Sequence, residues 1–185
     1  RVEGRNFSIR KNVLNYDDVM NTQREIIYKQ RREILDGEDL KGNVLGMIKS
    51  LIEDIATPYF ADEHINKEGL LQELNANLTI TELNSLQKPD VHLKEVIEEA
   101  VEKATAIYEE RENEIGSEEL RELERVVTLK VVDEKWMDHI DNMDELKDGI
   151  GLRAYGQKDP VVQYRIEGFD MFDQMVLDIK TDVVK

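Results

Sequence analysis

An all-α fold is predicted for this chain: a long scaffold helix packed with a long antiparallel two-helix hairpin, plus a small, mainly helical subdomain. Three observations predict it. Charged residues make up 36% of the 185 residues and aromatics only 6%, with three prolines, which suits long solvated helices better than sandwiches or barrels. Apolar residues recur at helical intervals over stretches of about thirty residues near both ends of the chain. Between the last two apolar stretches the glycines Gly149, Gly151 and Gly156 cluster, each costing roughly 1 kcal/mol relative to alanine inside a helix, so the chain is expected to turn there.

The first helix is expected from about Ser8 to Leu35, with Ile9, Val13, Tyr16, Met20, Ile27 and Ile34 on one stripe that also carries Gln23 and Gln30. At 1.5 Å per residue it extends about 42 Å, too far for one small core to cover, so it should brace more than one neighbour. Asp36-Gly37 is read as its end, with Arg31 and Arg32 near the negative pole of the macrodipole. A second segment, Leu40, Val44, Met47, Ile48, Leu51, Ile52 and Ile55, is stopped by Pro58. Leu70, Leu71 and Leu74 suggest another helix, and the β-branched pair Thr79 and Ile80 marks a short strand or a loop. After Lys88-Pro89-Asp90, the positions Leu93, Ile97, Val101, Ala104 and Tyr108 predict a helix that ends at Gly116.

The next helix is expected to begin at Ser117, an N-cap candidate followed by Glu118 and Glu119 in the positive first turn. Leu120, Leu123, Val127, Leu129, Val132, Trp136, Ile140, Met143 and Leu146 give it a broad apolar face. The turn Leu152–Pro160 follows, and Asp159-Pro160 restarts the chain as cap and first helical residue. The return helix carries Val161, Tyr164, Phe169, Phe172, Met175, Val176, Ile179 and Val183. The expected organisation is a long helix over 1–37, a small subdomain over 38–116 and a hairpin over 117–185.

Charge narrows the partners. The formal net charge is −16, yet residues 1–35 hold eight Lys/Arg against five Asp/Glu, leaving −19 for the remainder. Such an acidic body would repel phosphate backbones, so nucleic acid is not an expected partner. Without cysteine there is no disulfide or thiolate zinc site, which fits a reducing compartment, with the cytosol as default. No run of about 18 apolar residues reads as a membrane span, and the opening RVEGRNFSIR is not a signal sequence. That opening lacks an initiator methionine, so a piece of a longer protein is expected.

No catalytic constellation is found. Gly37 and Gly42 have the separation of a phosphate-binding loop, but Asn43 and Val44 stand where its lysine and hydroxyl belong. His64, His92 and His139 are too dispersed for a local metal motif and are read as surface or boundary residues. Asp17 and Asp18 diverge by about 100° on a helix and do not converge on one ion. Trp136, Phe169 and Phe172 are read as core at helical spacing, with a partner-binding anchor as the alternative for Trp136. Tyr155 sits in the turn, off any amphipathic register, and the residues alone leave it either packing the loop or touching a partner.

Two long strings carry a family resemblance: RVEGRNFSIRKNVLNYDDVMNTQREIIYKQR at the start and VDEKWMDHIDNMDELKDGIGLRAYGQKDPVVQYRIEGFDMF near the end. Together they resemble the C-terminal half of the SecA preprotein translocase motors. The first string resembles the start of the family's helical scaffold, and the second resembles its two-helix finger. The segment between them corresponds by position to the helical wing. The resemblance implies a non-catalytic fragment with no cofactor of its own, ATP and magnesium belonging to nucleotide-binding domains elsewhere in a parent chain. It further implies cytoplasmic location, peripheral at the inner face of the bacterial plasma membrane.

The implied partners are the SecYEG channel, unfolded preprotein, the parent's nucleotide-binding domains and an anionic membrane surface. Self-association through an uncovered side of the first helix is also expected. The implied contact surface is the finger tip, Leu152, Arg153, Ala154, Tyr155, Gly156, Gln157 and Lys158. Tyr155 matches the family's polypeptide-touching tyrosine, and Arg153 and Lys158 are candidates for channel-loop or headgroup contact. Some family members have alanine where this chain has Gly156. The residues by themselves also allow a self-standing acidic helical adapter or chaperone-like module that binds partner helices.

Overall fold

The computed structural model describes residues 2–37, 39–61, 64–153 and 159–185, with side-chain environments from residue 14 onward. All described regular elements are helical: α1 (Val2–Asp36), α2 (Leu40–Tyr59), α3 (Lys67–Leu78), a 3₁₀ turn (Ser85–Gln87), α4 (Leu93–Ile115), α5 (Ser117–Arg153) and α6 (Pro160–Val184). They form two compact units. One comprises residues 1–36 and 129–179, the other residues 37–128 and 180–185.

The first unit is a three-helix body of α1 and the larger parts of α5 and α6. Tyr16 meets Lys147 and Arg31 meets Asp133, so α1 runs antiparallel to α5. Tyr16 also meets Tyr164, and Gln23 meets Gly168, so α1 runs parallel to α6. His139 packs on Phe172, completing an antiparallel α5–α6 hairpin. Ile27, Val132, Trp136, Met143, Leu146, Ile150, Val161, Tyr164, Phe172, Met175 and Ile179 are all buried. On the sequence-predicted stripe of α1, Gln23, Ile27 and Ile34 are indeed inside, whereas Gln30 faces solvent. Arg31 does not serve the helix terminus; its guanidinium forks onto Asp133 at 2.9 and 3.3 Å.

Several expectations are corrected here. Gly149 and Gly151 do not break the helix: α5 runs on to Arg153 because Ile150 between them, 1% exposed, anchors that turn in the core. Phe169 is 60% exposed, and Gly168 takes its place in the interior. His139, read as a surface residue, is 3% exposed. Leu123 is exposed, and α5 instead buries Glu124, Thr128 and His139 on a stripe running from Leu120 to Ile150. Ser117 is the first helical residue rather than the cap, Gly116 supplying the carbonyl that accepts from Leu120 N–H.

The second unit packs α2 against α3 and α4, with Leu51, Ile52, Leu70, Leu74, Ile80 and Val96 fully buried. Asp39 caps α2 by accepting from Gly42 N–H at 3.0 Å, and Asn66 caps α3 from Gly69 N–H at 2.9 Å. The helix α2 takes in Pro58 and ends one residue beyond it. On α4 the buried row is Val96, Ala100 and Ala104, rotated from the expected Leu93, Ile97 and Val101, which are half-buried. Small side chains let α2 approach closely along that row. Thr79 and Ile80 form no strand: Thr79 takes the left-handed C-cap of α3, and Ile80 drops into the core.

A charged chain is set into this unit. Lys41 of α2 binds Glu112 of α4 at 2.6 Å, Glu112 binds Arg121 of α5 at 3.0 Å, and Arg121 binds Glu124 at 2.7 Å. Tyr108 donates its hydroxyl to Glu124 at 2.6 Å. Burial, then the Glu124 carboxylate, push the Tyr108 phenol well up and keep it neutral. Glu99 similarly supplies an acceptor: Asn84 and Ser85 donate backbone N–H groups to it at 2.7 and 2.8 Å, fixing the start of the 3₁₀ turn.

Two stability outcomes are expected. Arg121→Leu strands the 8%-exposed Glu124 and should cost roughly 3 kcal/mol in urea unfolding followed by circular dichroism, whereas adding Glu124→Leu and Tyr108→Phe should restore much of it. A Cβ on Gly168 would fall 2.6 Å from Met143 Cε, whereas one on Gly46 meets nothing within 4 Å. Gly168→Val is therefore expected to destabilise by about 1–3 kcal/mol by Trp136 fluorescence, and Gly46→Ala to stabilise α2 by about 0.5–1 kcal/mol.

Candidate interaction site

The described part of the hairpin end is built from the last turn of α5 and the first turns of α6. Asp159 caps α6, its Oδ1 accepting from Val161 N–H at 2.9 Å, with Pro160 in the first helical position. Leu152 is 81% exposed, far more than an apolar side chain at a helix end needs to be. Arg153 does not reach outward; its guanidinium forks back onto Glu167 of α6 at 3.1 and 3.3 Å. Gln163 donates to the same carboxylate at 3.1 Å. Ala154, Tyr155, Gly156, Gln157 and Lys158 lie outside the described residues. Val162, Ile166 and Phe169 are exposed along α6.

Behind this end the hairpin is held by a dense cluster. Met143, Leu146, Ile150 and Tyr164 are buried together, with Tyr16, Val19, Met20 and Met171 packed around them. The Tyr16 and Tyr164 rings meet edge to face, centroids 4.9 Å apart. The Lys147 ammonium lies 5.3 Å from the Tyr16 ring centroid. Burial, then Asp144 and Asp17, push the Tyr164 phenol up to about 12, so it is un-ionised in this setting. Asp17, considered above as a metal ligand, thus acts on a buried phenol, and among the described residues no three His, Cys, Asp or Glu side chains converge on a metal position.

One level deeper, a single amide joins all three helices. Gln23 of α1 donates from Nε2 to the Gly168 carbonyl of α6 at 3.1 Å. Its Oε1 stands 2.6 Å from Nε2 of His139 on α5. A carbonyl only accepts, so the amide orientation is dictated by Gly168, and His139 must carry its proton on Nε2. Trp136 and Phe172 flank the imidazole, with centroids 5.6 and 5.8 Å away. Burial holds the imidazole below its ordinary value. The sequence carried a signal for this tie: Gln23 lies between Met20 and Ile27 on the apolar stripe, and His139 lies three residues after Trp136 and four before Met143. Polarity alone argues for a surface position, and the partner on α1 reverses it.

Between α1 and α5 an open groove of about 470 Å³ is lined by Ile27, Tyr28, Arg31, Leu35, Trp136 and Met137, among others. Tyr28, Leu35 and Met137 are 53%, 49% and 66% exposed. Among the described residues no helix is long and apolar enough to cross a membrane.

The family model for the SecA wing and scaffold domain matches residues 1–185. The chain is similar over its whole length to proteins named protein translocase subunit SecA, with 49% identity in Pelotomaculum thermopropionicum and 52% in Carboxydothermus hydrogenoformans. It is 48% identical to protein translocase subunit SecA 1 of Clostridioides difficile, again along its full length. The chain covers 21%, 22% and 21% of these relatives, about a fifth of their length.

The depressed His139 sets a pH dependence. The unfolded chain binds a proton near the ordinary imidazole value while the folded chain does not, so stability is fully present above about pH 6.5 and falls as pH drops toward the lower folded value. His139→Gln is expected to flatten that part of the stability profile between about pH 7.5 and 5.5, measured by urea unfolding.

Proposed function

This chain belongs to the SecA wing and scaffold domain family, and we propose that it is the non-catalytic coupling part of a protein-translocating ATPase, carrying the scaffold helix, the wing and the two-helix finger. In this reading residues 1–37 are the scaffold helix, 38–116 the wing and 117–185 the finger with its support. The parent's nucleotide-binding domains hold ATP and magnesium, and this chain performs no bond-breaking step. It acts at the cytoplasmic face of the plasma membrane, where the hairpin end faces the SecYEG channel and the moving preprotein.

The observation that carries this reading is the lengthwise bracing of the hairpin by α1, from Tyr16 on Tyr164 to Arg31 on Asp133. Contacts distributed along three helices make a body that moves as one piece when pushed at either end. The outward Tyr28, Leu35 and Met137 offer a surface on which the parent's nucleotide-binding domains can press. At the far end, a tyrosine combines apolar ring area with one hydroxyl and few rotors, so Tyr155 can grip chemically varied polypeptide without sequence preference. Exposed Leu152 extends that grip with apolar surface.

The test is made in a full-length parent. Tyr155→Ala is expected to lower preprotein import into SecYEG vesicles while ATP hydrolysis by the parent without channel or preprotein stays at its starting rate. Import at the unaltered level would refute the role given to the tip.

A further inference from the structure

The reading above requires that force applied to α1 arrive at both arms of the hairpin, and apolar packing alone does not guarantee that. Ridges on one helix fit the grooves of another again about one turn along the axis. Such a step of about 5.4 Å leaves hydrocarbon against hydrocarbon. A buried hydrogen bond is different, because displacement leaves donor and acceptor without water or partner, at the full desolvation cost of each.

We propose that Gln23 is a positioning residue that locks α1 in axial register with both arms of the hairpin at once. Its amide is 6% exposed and its partner His139 3% exposed. The two bonds go to different helices, Oε1 accepting from His139 Nε2–H at 2.6 Å and Nε2 donating to the Gly168 carbonyl at 3.1 Å. Slip of α1 against either arm breaks one of them inside an apolar setting. Gly168 gives Met143 its room beside this tie: a Cβ there would lie 2.6 Å from Met143 Cε, so the buried methionine would have to shift, whereas Gln23 Nε2 at 3.9 Å would be in ordinary contact. The other α1-to-hairpin contacts adapt more readily. Arg31 and Asp133 are 40% and 47% exposed, so water replaces their bond at little cost, and the Tyr16–Tyr164 edge contact is a packing interaction. The lock sits midway between those two contacts.

This inference rests on the coupling role proposed above, and its experiment separates the two. In a full-length parent, Gln23→Leu leaves the His139 N–H and the Gly168 carbonyl unpaired, while Gln23→Glu keeps the shape and the acceptor for His139 but sets a second carboxyl oxygen against the Gly168 carbonyl. Preprotein imported per ATP hydrolysed is measured with the thermal unfolding midpoint of each variant. Expected is a roughly tenfold loss in that ratio for Gln23→Leu and a smaller loss for Gln23→Glu, with ATP hydrolysis continuing. The ratio is read well below the unfolding midpoint of each variant, so that a loss of ratio there is not a loss of fold. An unchanged ratio in both variants overturns the lock, as does a fall in the ratio seen only where the protein unfolds. Tyr155→Ala is run alongside: if it lowers import while the Gln23 variants keep their ratio, the lock falls and the tip stands. If the Gln23 variants lose ratio while Tyr155→Ala imports normally, the tip falls and the lock stands.

Discussion

Gln23 shares one amide between two helices other than its own, and the rest of the three-helix body is arranged around that constraint. The Gly168 carbonyl fixes which end of the amide faces which helix, and this in turn fixes the tautomer of His139. Trp136 and Phe172 close over the imidazole, and Met143 closes over the glycine. None of this is an efficient route to stability, since a buried polar network returns little net free energy over an apolar core of the same shape. What it supplies is uniqueness. Polar groups buried at low dielectric tolerate one alignment of their helices and penalise the neighbouring ones.

The second unit handles buried polarity by alternation of charge. Lys41, Glu112, Arg121 and Glu124 follow one another with opposite signs, so the chain of four is neutral in sum, and Tyr108 ends it with a hydroxyl. The same logic explains why the network sits where α2, α4 and the start of α5 meet. A helix surface that must carry carboxylates in a chain of net charge −16 keeps most of them in water and buries only those that find a cation. The apolar core nearby follows a different rule, in which Ala100 and Ala104 are chosen for small size so that α2 can lie close.

For the proposed function the two devices have different meanings. The alternating ion pairs are graded from Lys41 at the wetter margin to the buried Glu124, and only their outer member reorganises at modest cost. A single amide sealed between three helices resists adjustment and suits a body that must carry displacement along its length. The hairpin end combines both: Arg153 is half in water on Glu167, while Ile150, three residues earlier, is fully buried.

Much of the fold was legible in the residues. Helical periodicity identified the long first helix and the hairpin arms, and Asp159-Pro160, Gly37 and Gly116 marked helix ends where the backbone indeed changes course. Periodicity reads an average over a face, however, and the errors lie where one residue departs from its average. Phe169 is apolar and exposed, Gly168 is featureless and buried, and His139 is polar and buried. Gly149 and Gly151 are poor helix residues that stay helical because Ile150 between them has a core to enter. Nothing local marks the division of α5 between two compact units at Thr128 and Leu129, since no glycine, proline or change of composition stands there.

By itself, then, the sequence determined the helical class, several of the helix ends and the family, because caps, propensities and motif strings act over a few neighbouring residues. Only the tertiary structure decided which polar side chains are interior. A glutamine, histidine or glutamate is buried when another helix brings the matching donor or acceptor to it, and that partner lies more than a hundred residues away for Gln23 and His139.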